Sequence, residues 1–597
     1  MPYELESGHI AGAVVAVVQN GHVLLSKGYG YADFAARRPM DPAKTLVRAG
    51  STSKLFTWTA IMQLVEAGKL DLDRDVNTYL DFHIDTPPGH PITIRDLMNH
   101  RAGFEEGLKG ILSIDPNGLE STETFLKNHP RPLLFSPGSI PAYSNYGASL
   151  AGYIVQRVSG EAYESYIETH IFQPLGMTNS SFVQPLPAPL LARMSKAYHT
   201  REDAPQPYEL VVTRPAGSLT TTADDMARFM LAQLQQGSLD GATILSPQTA
   251  ALMQSPSEKP FLPGFATMAH GFFDETQNGR TVLGHGGDTV IFHTDLELLP
   301  KENIGLYVTF NSRGANNAVY VARQALFDDF MNRYFPAPPV PEPPTLANAS
   351  VDAARIAGLY ESSRRIAHGF LAVLSLFQQT EIVANPDGTI TAPDMLGTSR
   401  TLHEIAPLVW KDVHGDGKIA LTTVNGLKTI IDSQDPSDVL QEVPFIRSAT
   451  LNLPVFVASI SVLSWTIILW ALSPLLRKGD RGSLVLSRPA RRLRLVLRLA
   501  AAFDMLWLFG WFFVISPVLS SQVQAYNEKL DPVILALELG GFLAAGVLAF
   551  CLWSARRLFS SDLSWLSRLW SLALLASLAG IIWIGAIGKL IAINVNY

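Results

Sequence analysis

The stretch GSTSKLFT, residues 50–57, places Ser51 and Lys54 three residues apart at the head of an apolar-periodic segment. Leu55, Trp58, Ile61 and Leu64 recur at helical spacing and Gly68 supplies a stop, so SKLFTWTAIMQLVEAGKL reads as a helix. A lysine one turn from a serine lies on the same helix face, within reach of its hydroxyl. It can take the hydroxyl proton only if burial or a neighbouring cation lowers its pKa. At a helix N-terminus the serine also sits where backbone N–H groups stabilise a developing oxyanion. The same eight residues serve equally as a serine N-cap followed by an exposed lysine.

Working outward, AYSNYG places Tyr143 and Asn145 in a Tyr-x-Asn pattern, and GHGGDT places His285, Gly286 and Gly287 just before an apolar strand. Each has a bland reading: a core aromatic, a turn residue, a satisfied histidine. In this order with Ser51-x-x-Lys54, the three motifs resemble the serine β-lactamase and penicillin-binding-protein-like superfamily, on its class C side. That group of serine peptidases includes DD-peptidases, D-aminopeptidases and related esterases. LMNHRAGF (97–104), PAGSLTTTADDMARF (215–229) and the opening IAGAVVAVVQNGHVLLSKGYG match the same family. The resemblance covers about residues 8–335. It implies an α/β (α+β) sandwich with an all-α subdomain.

The resemblance also implies roles. Ser51 would attack an acyl carbon and form an acyl-enzyme. Lys54 would accept or relay the proton. Tyr143, lowered in pKa beside Lys54, would be general base and later the acid for the leaving group. Asn145 would hold the substrate amide, and the backbone N–H groups of Ser51 and Asp288 would form the oxyanion hole. Gly286 and Gly287 would let substrate backbone approach the strand edge. The scheme needs no metal and no cofactor. Many members carry Lys-Thr-Gly where this chain has His285-Gly286-Gly287. A histidine is mostly neutral at pH 7, so it lacks the fixed cation that a substrate carboxylate would meet. That moves the expectation from penicillin destruction toward amidase, peptidase or esterase activity, with a carboxypeptidase still open. Asp288 adds an acidic side chain, which favours a neutral or amine-bearing substrate.

At 597 residues the chain is long enough for about three or four domains. Only 17% of residues are charged, and the deficit sits in the last 150. A net charge of -7 makes no case for nucleic acid. The single cysteine, Cys551, excludes an internal disulfide framework and a Cys-rich metal site, and reads as a buried core thiol. Four apolar runs, about 453–476, 499–519, 533–553 and 569–591, are each long enough to cross a hydrocarbon layer of roughly 30 Å. Core helices of a large soluble domain are the competing reading. Trp553 and Trp570 near the run ends suit a membrane interface.

Arg477, Lys478, Arg481, Arg488, Arg491, Arg492, Arg494 and Arg498 separate the first two runs, and Arg556, Arg557 and Arg568 the last two. The middle loop, SSQVQAYNEKLDP, has one lysine. The positive-inside rule puts the basic loops in the cytoplasm and everything before residue 450 outside it. The expected location is a bacterial inner (cytoplasmic) membrane, multi-pass, with the catalytic part periplasmic or extracellular. MPYELESGHI has neither a basic n-region nor a long apolar stretch, so export expects an upstream signal, with Met1 an internal or misassigned start. The competing topology is a cytoplasmic catalytic domain. Asp504 and Glu538 are intramembrane carboxylates and by default functional-site candidates; helix packing is their expected use, and a pair of Glu538 with Lys589 near the outer face is the alternative.

Along the chain, residues 1–335 read as the hydrolase domain, opened and closed by β-hairpins (AGAVVAVVQNGHVLLSKGYG and TDLELLPKENIGLYVTFN). Residues 336–350 read as a linker, because PAPPVPEPP is an extended spacer. Residues 351–447 read as a small β-rich, barrel-like domain with turns at Asn385-Pro386-Asp387-Gly388, Gly415-Asp416-Gly417 and Asn425-Gly426. DVHGDGK lacks the later glutamate of a calcium loop and reads as a turn. Residues 448–597 read as a four-helix transmembrane domain.

The sum is a membrane-anchored serine hydrolase acting on amide substrates (D-residue peptides or acyl-peptides) or on esters outside the cytoplasm. Its partners would be a small peptide or ester substrate and the lipid bilayer, with no nucleic acid. A receptor that senses cell-wall fragments with little catalysis is the second reading. A third follows from architecture, which partly resembles the membrane-bound peptidases that mature colibactin-like prodrugs; those have no evident counterpart of residues 351–447.

Overall fold

The computed structural model describes residues 1–337, 346–394, 397–476, 487–556 and 564–597. Most of the proline-rich spacer lies outside the described residues, as do Arg477, Lys478, Arg481 and Arg557.

Asn20 and Gly21 both take left-handed φ, 48° and 84°, which closes the hairpin of strands Gly12–Gln19 and His22–Asp33. The second hairpin joins His293–Leu299 to Ile304–Phe310. The two hairpins pair antiparallel, with Ala13 opposite Phe310 and Gln19 opposite Ile304. The ends of the N-terminal part, residues 1–335, thus meet in the centre of a nine-stranded sheet, counted among the described residues. Alternate side chains serve two cores. Val14, Ala16 and Val18 pack with Met226 and Met230 of the helix Ala223–Leu234, while Ala13 and Val15 pack with Val319, Phe327 and Met331 of the helix Ala318–Tyr334. Each fully buried Val or Leu side chain contributes about 1.5–3 kcal/mol. The helix Lys54–Glu66 is buried around its whole circumference from Lys54 to Met62. It is a core helix of the all-α part, which also includes Asn145–Ser159.

Residues 358–442 form a closed eight-stranded barrel, its first strand Gly358–Ser362 paired to the last, Leu440–Glu442. Trp410, Tyr360, Leu402 and Ile430 fill it, with Ala353 and Ile356 of the preceding helix. Asn425 and Gly426 turn the chain with φ of 52° and 81°. At DVHGDGK, Asp412 accepts the His414 N–H and Asp416 pairs with Lys411, so the segment is a tight turn. Between the first and second strands the chain leaves the barrel for residues 363–379. That excursion places Phe370–Leu376 among Trp511, Tyr526 and Tyr597 of the C-terminal region.

Four long apolar helices follow: Ala449–Leu476, Arg488–Leu519, Asp531–Ala555 and Trp565–Ile587. All are long and apolar enough to cross a membrane. Leu506, Phe509, Phe512, Leu539 and Phe542 face outward, while Gly541 and Gly585 admit the Trp507 ring. Two boundaries differ from the expected ones. The second helix begins at Arg488, so Arg488–Arg498 is helical, and the fourth stops at Ile587. There the chain turns through Lys589 (φ 60°) and runs back to the N-terminal part. This return places the Asn594 N–H 3.2 Å from the Glu538 carboxylate. Cys551 is buried, as expected.

Candidate active site

Ser51 lies in a single 3-10 turn, Gly50–Ser53, that runs directly into the helix Lys54–Glu66. Neither Ser51 nor Ser53 caps that helix through its side chain, so the capping alternative falls away. Gly50 has φ 53°, and a Cβ on it would stand 2.7 Å from the Asp288 nitrogen. A Cβ on Gly287 would stand 2.1 Å from the Ala49 carbonyl oxygen. Backbone therefore packs on backbone, which brings the Ser51 turn and the Gly287–Asp288 strand onto adjoining segments of one cavity wall.

Lys54 has no solvent exposure, and its Nζ has three polar neighbours: Ser51 Oγ at 3.0 Å, Asn145 Oδ1 at 2.9 Å and the Ala216 carbonyl oxygen at 2.7 Å. Burial holds its pKa well below the ordinary lysine value; Arg364 adds to this and Glu106 opposes it. A neutral amine has two N–H donors and one lone pair. The two carbonyl oxygens can only accept, so they take both N–H groups, and the lone pair is left toward the Ser51 hydroxyl. Asn145 is the first residue of the helix Asn145–Ser159, whose N-cap Ser144 accepts the Gly147 N–H. Its other amide atom, Nδ2, donates to Glu106 Oε2 at 3.4 Å.

Tyr143 is buried and hydrogen-bonded to Ser51. Its ring rests on His100, with centroids 4.2 Å apart. Two basic side chains flank it, Lys54 Nζ at 4.8 Å and the Arg364 guanidinium at 4.6 Å from the centroid. The expected lowering of its pKa is reversed. Burial pushes the phenol up, and neither Arg364 nor the Ser51 hydrogen bond overcomes that. The lysine, not the tyrosine, is the group shifted toward base function.

His285 is 1% exposed, and burial, aided by Lys54, pushes it down to about 3. It is neutral at pH 7 and stacks on Phe273 at 4.4 Å. Gly286 lines the cavity beside it. The Asp288 carboxylate accepts from His293 at 2.6 Å and from Arg323 at 3.2 Å. Burial raises its pKa, but Arg323 and His293 outweigh burial and hold it below the usual carboxylate range. Its charge is answered within the protein, so the expected preference for an amine-bearing substrate loses its basis.

Sequence reasoning missed Arg364 and Glu106. Arg364 comes from the excursion of the barrel, and Glu106 Oε2 accepts its Nε at 3.0 Å and its Nη2 at 2.9 Å. Neighbouring contacts zip the two loops together: Glu105 pairs with His368 at 2.6 Å, and the Glu106 N–H donates to the Arg365 carbonyl at 3.3 Å. Nothing in the periodicity of ESSRR (361–365) signals this, because the partners are some 260 residues apart. His100 lies inside the matched segment LMNHRAGF, but its place under Tyr143 is a tertiary fact.

A cavity of about 1710 Å³ runs from Ser51, Tyr143 and Asn145 past Arg364 to barrel residues such as Arg400 and Asp435, and reaches Val518 and Ser521. That exceeds the roughly 300–1,000 Å³ of an ordinary small-molecule pocket. Among the described residues, one group with metal-ligand atoms close together is Glu120, His129 and Glu528. None of the three lines this cavity.

The chain is 28% identical over 324 residues to "Protein flp" of Staphylococcus aureus (strain MRSA252), covering 52% of this chain and 61% of that protein. It is 33% identical over 259 residues to "Putative penicillin-binding protein PbpX" of Bacillus subtilis (strain 168), covering 43% and 60%. The chain spans about three-fifths of the length of these curated relatives. Among solved structures it is similar to an octameric penicillin-binding protein homologue from Pyrococcus abyssi (TM-score 0.48, 22% identity, 73% of this chain and 97% of that one). It is also similar to a class C beta lactamase from Rhodobacter sphaeroides (TM-score 0.45, 24% identity, 55% and 97%). The family model described as Beta-lactamase matches residues 3–328, more than half of the chain and the whole span from Ser51 to Asp288, and the chain belongs to that family.

Proposed function

We propose that this chain is a serine hydrolase that forms an acyl-enzyme on Ser51, with amide or ester substrates, anchored in a bacterial cytoplasmic membrane and facing outward. The observation that carries the reading is the set of three partners around Lys54 Nζ. Ser51 Oγ attacks the acyl carbon while its proton passes to Lys54 Nζ. The carbonyl oxygen gathers charge beside the backbone N–H groups of Ser51 and Asp288. The Tyr143 hydroxyl, kept protonated by burial, gives its proton to the leaving group and is recharged from the Lys54 ammonium. Water then cleaves the ester by the reverse proton path.

The cavity volume favours an extended polar substrate such as a D-residue peptide or acyl-peptide over a compact one. The outward orientation is supported by the docking of the hydrolase part on the sparsely charged loop. Lys109 meets Asp531 at 2.6 Å, and Arg313 donates to Ser521 at 2.7 Å. The arginine-rich segment Arg488–Arg498 lies at the opposite end of the same helix.

A sensor reading has one observation in its favour. The loop that carries Glu106 is tied to the membrane part, since the N–H groups of Leu108 and Lys109 donate to the Tyr597 main-chain oxygen and that of Gly110 to Tyr526. A fluorescent fluorophosphonate decides whether there is chemistry to couple to, and the relative's name makes labelled penicillin a second probe. The wild-type chain is expected to be labelled covalently and the Ser51→Ala variant not; equal labelling of the two, or none of the wild type, removes the enzyme reading.

A further inference from the structure

The third motif presents a neutral histidine where relatives with lysine present a charge, yet the cavity at Ser51 does contain an arginine. Arg364 is delivered by residues 363–379, the loop by which the barrel leaves its own strand order. Its position is built rather than incidental. The guanidinium lies over the Tyr143 ring, and the Arg364 N–H donates to Ser362 Oγ and Asp438 Oδ1. Glu106 engages Nε and Nη2 with one oxygen, Oε2, the same atom that accepts from Asn145. Among the described residues Nη1 has no hydrogen-bond partner, and the side chain, 43% exposed, opens to the cavity. The free Nη1–Nη2 edge is the planar pair of donors that a carboxylate grips with both oxygens. Arg323, which lines the same cavity, is matched by Asp288 at 3.2 Å and Asp295 at 3.9 Å.

We propose that Arg364 of the barrel is the carboxylate anchor of the hydrolase site, so that the acyl donors taken by Ser51 carry a free carboxylate next to the bond that is cut. The proposal rests on the acyl-enzyme reading and gives the barrel a role in substrate recognition, because it supplies the cation that His285 does not. One relay joins the anchor to the nucleophile. Arg364 holds Glu106, Glu106 accepts from Asn145, and Asn145 accepts from Lys54, which meets Ser51. Bound carboxylate therefore arrives beside the residue that fixes the amide and the base. Glu106 competes for the same guanidinium, so the anchor is held in place when the site is empty and is partly neutralised until a substrate carboxylate shares it.

The test separates binding from chemistry. The full chain carrying Ser51→Ala, in lipid nanodiscs, is titrated with N-acetyl-D-alanyl-D-alanine and with its C-terminal amide. The acid is expected to bind at least tenfold more tightly than the amide, in line with a charged hydrogen-bonded pair. Adding Arg364→Gln should abolish that preference, Arg364→Lys should restore only part of it, and Glu106→Gln should strengthen it by removing the competing carboxylate. Equal binding of acid and amide, no binding of the acid, or a preference that survives Arg364→Gln overturns the proposal. If instead the preference is present and fluorophosphonate fails to label the wild type, the acyl-enzyme reading fails while Arg364 stands as a ligand anchor.

Discussion

The Nζ of Lys54 stands 3.0 Å from the Oγ of Ser51, at a position with no solvent exposure. Burial, seconded by Arg364, disfavours the ammonium there. A protonated lysine has no lone pair for the serine proton, so activity is lost as pH falls through the depressed pKa and is full above it. The fluorophosphonate labelling rate should therefore rise with pH along a titration well below the 10.5 of free lysine. Lys54→Arg, which cannot deprotonate, should label about 10²–10⁴-fold more slowly at pH 7. Wild-type rates in that variant would refute the base assignment.

Tyr143 is shifted the opposite way, so its hydroxyl is a proton donor across the neutral range. A poor leaving group such as an amine needs that proton, whereas a p-nitrophenolate does not. Tyr143→Phe should lower kcat/KM for an anilide by about 10²-fold or more. The matched p-nitrophenyl ester should be affected far less. A uniform loss on both substrates would argue that the ring only shapes the pocket.

Gly287 admits the Ala49 carbonyl at a distance no side chain tolerates. Gly287→Ala should push the strand carrying Asp288 away from the Ser51 turn and slow acylation by about 10²-fold, the usual result of a misplacement near 1 Å. Thermal unfolding followed by circular dichroism should change little, because the strain is local. Unaltered labelling would mean that the two backbone segments do not act together.

Lys69 is exposed on the hydrolase part and Arg492 is exposed at the basic end of the second apolar helix. In a Cys551→Ser background, Lys69→Cys should react with a membrane-impermeant maleimide on intact spheroplasts and Arg492→Cys only after lysis. The reverse pattern would place the hydrolase part in the cytoplasm.

Much of this molecule is legible locally. The hairpin at Asn20-Gly21, the helix after Ser51 and the apolar runs rest on turn chemistry and periodicity within a few residues, and those elements form as read. Where local reading fails, the cause is an environment assembled from distant segments. Asp288 reads as a free acid, but His293 and Arg323 answer it. Glu538 reads as a helix-packing carboxylate with Lys589 as the alternative partner, and only a return of the chain shows the Asn594 N–H beside it. Tyr143 reads as acidified by a lysine, but burial, which lowers the pKa of Lys54, raises that of the phenol.

The sequence by itself determined the family, through three short motifs in a fixed order, and the four segments apolar enough to span a membrane, because both are properties of neighbouring residues. Only the tertiary structure decided that Lys54 beside Ser51 is buried with a depressed pKa, that Tyr143 is buried with a raised one, and that a barrel arginine stands beside them. Protonation depends on burial and on charges brought close by folding, and the contact between Glu106 and Arg364 joins residues that no local pattern connects.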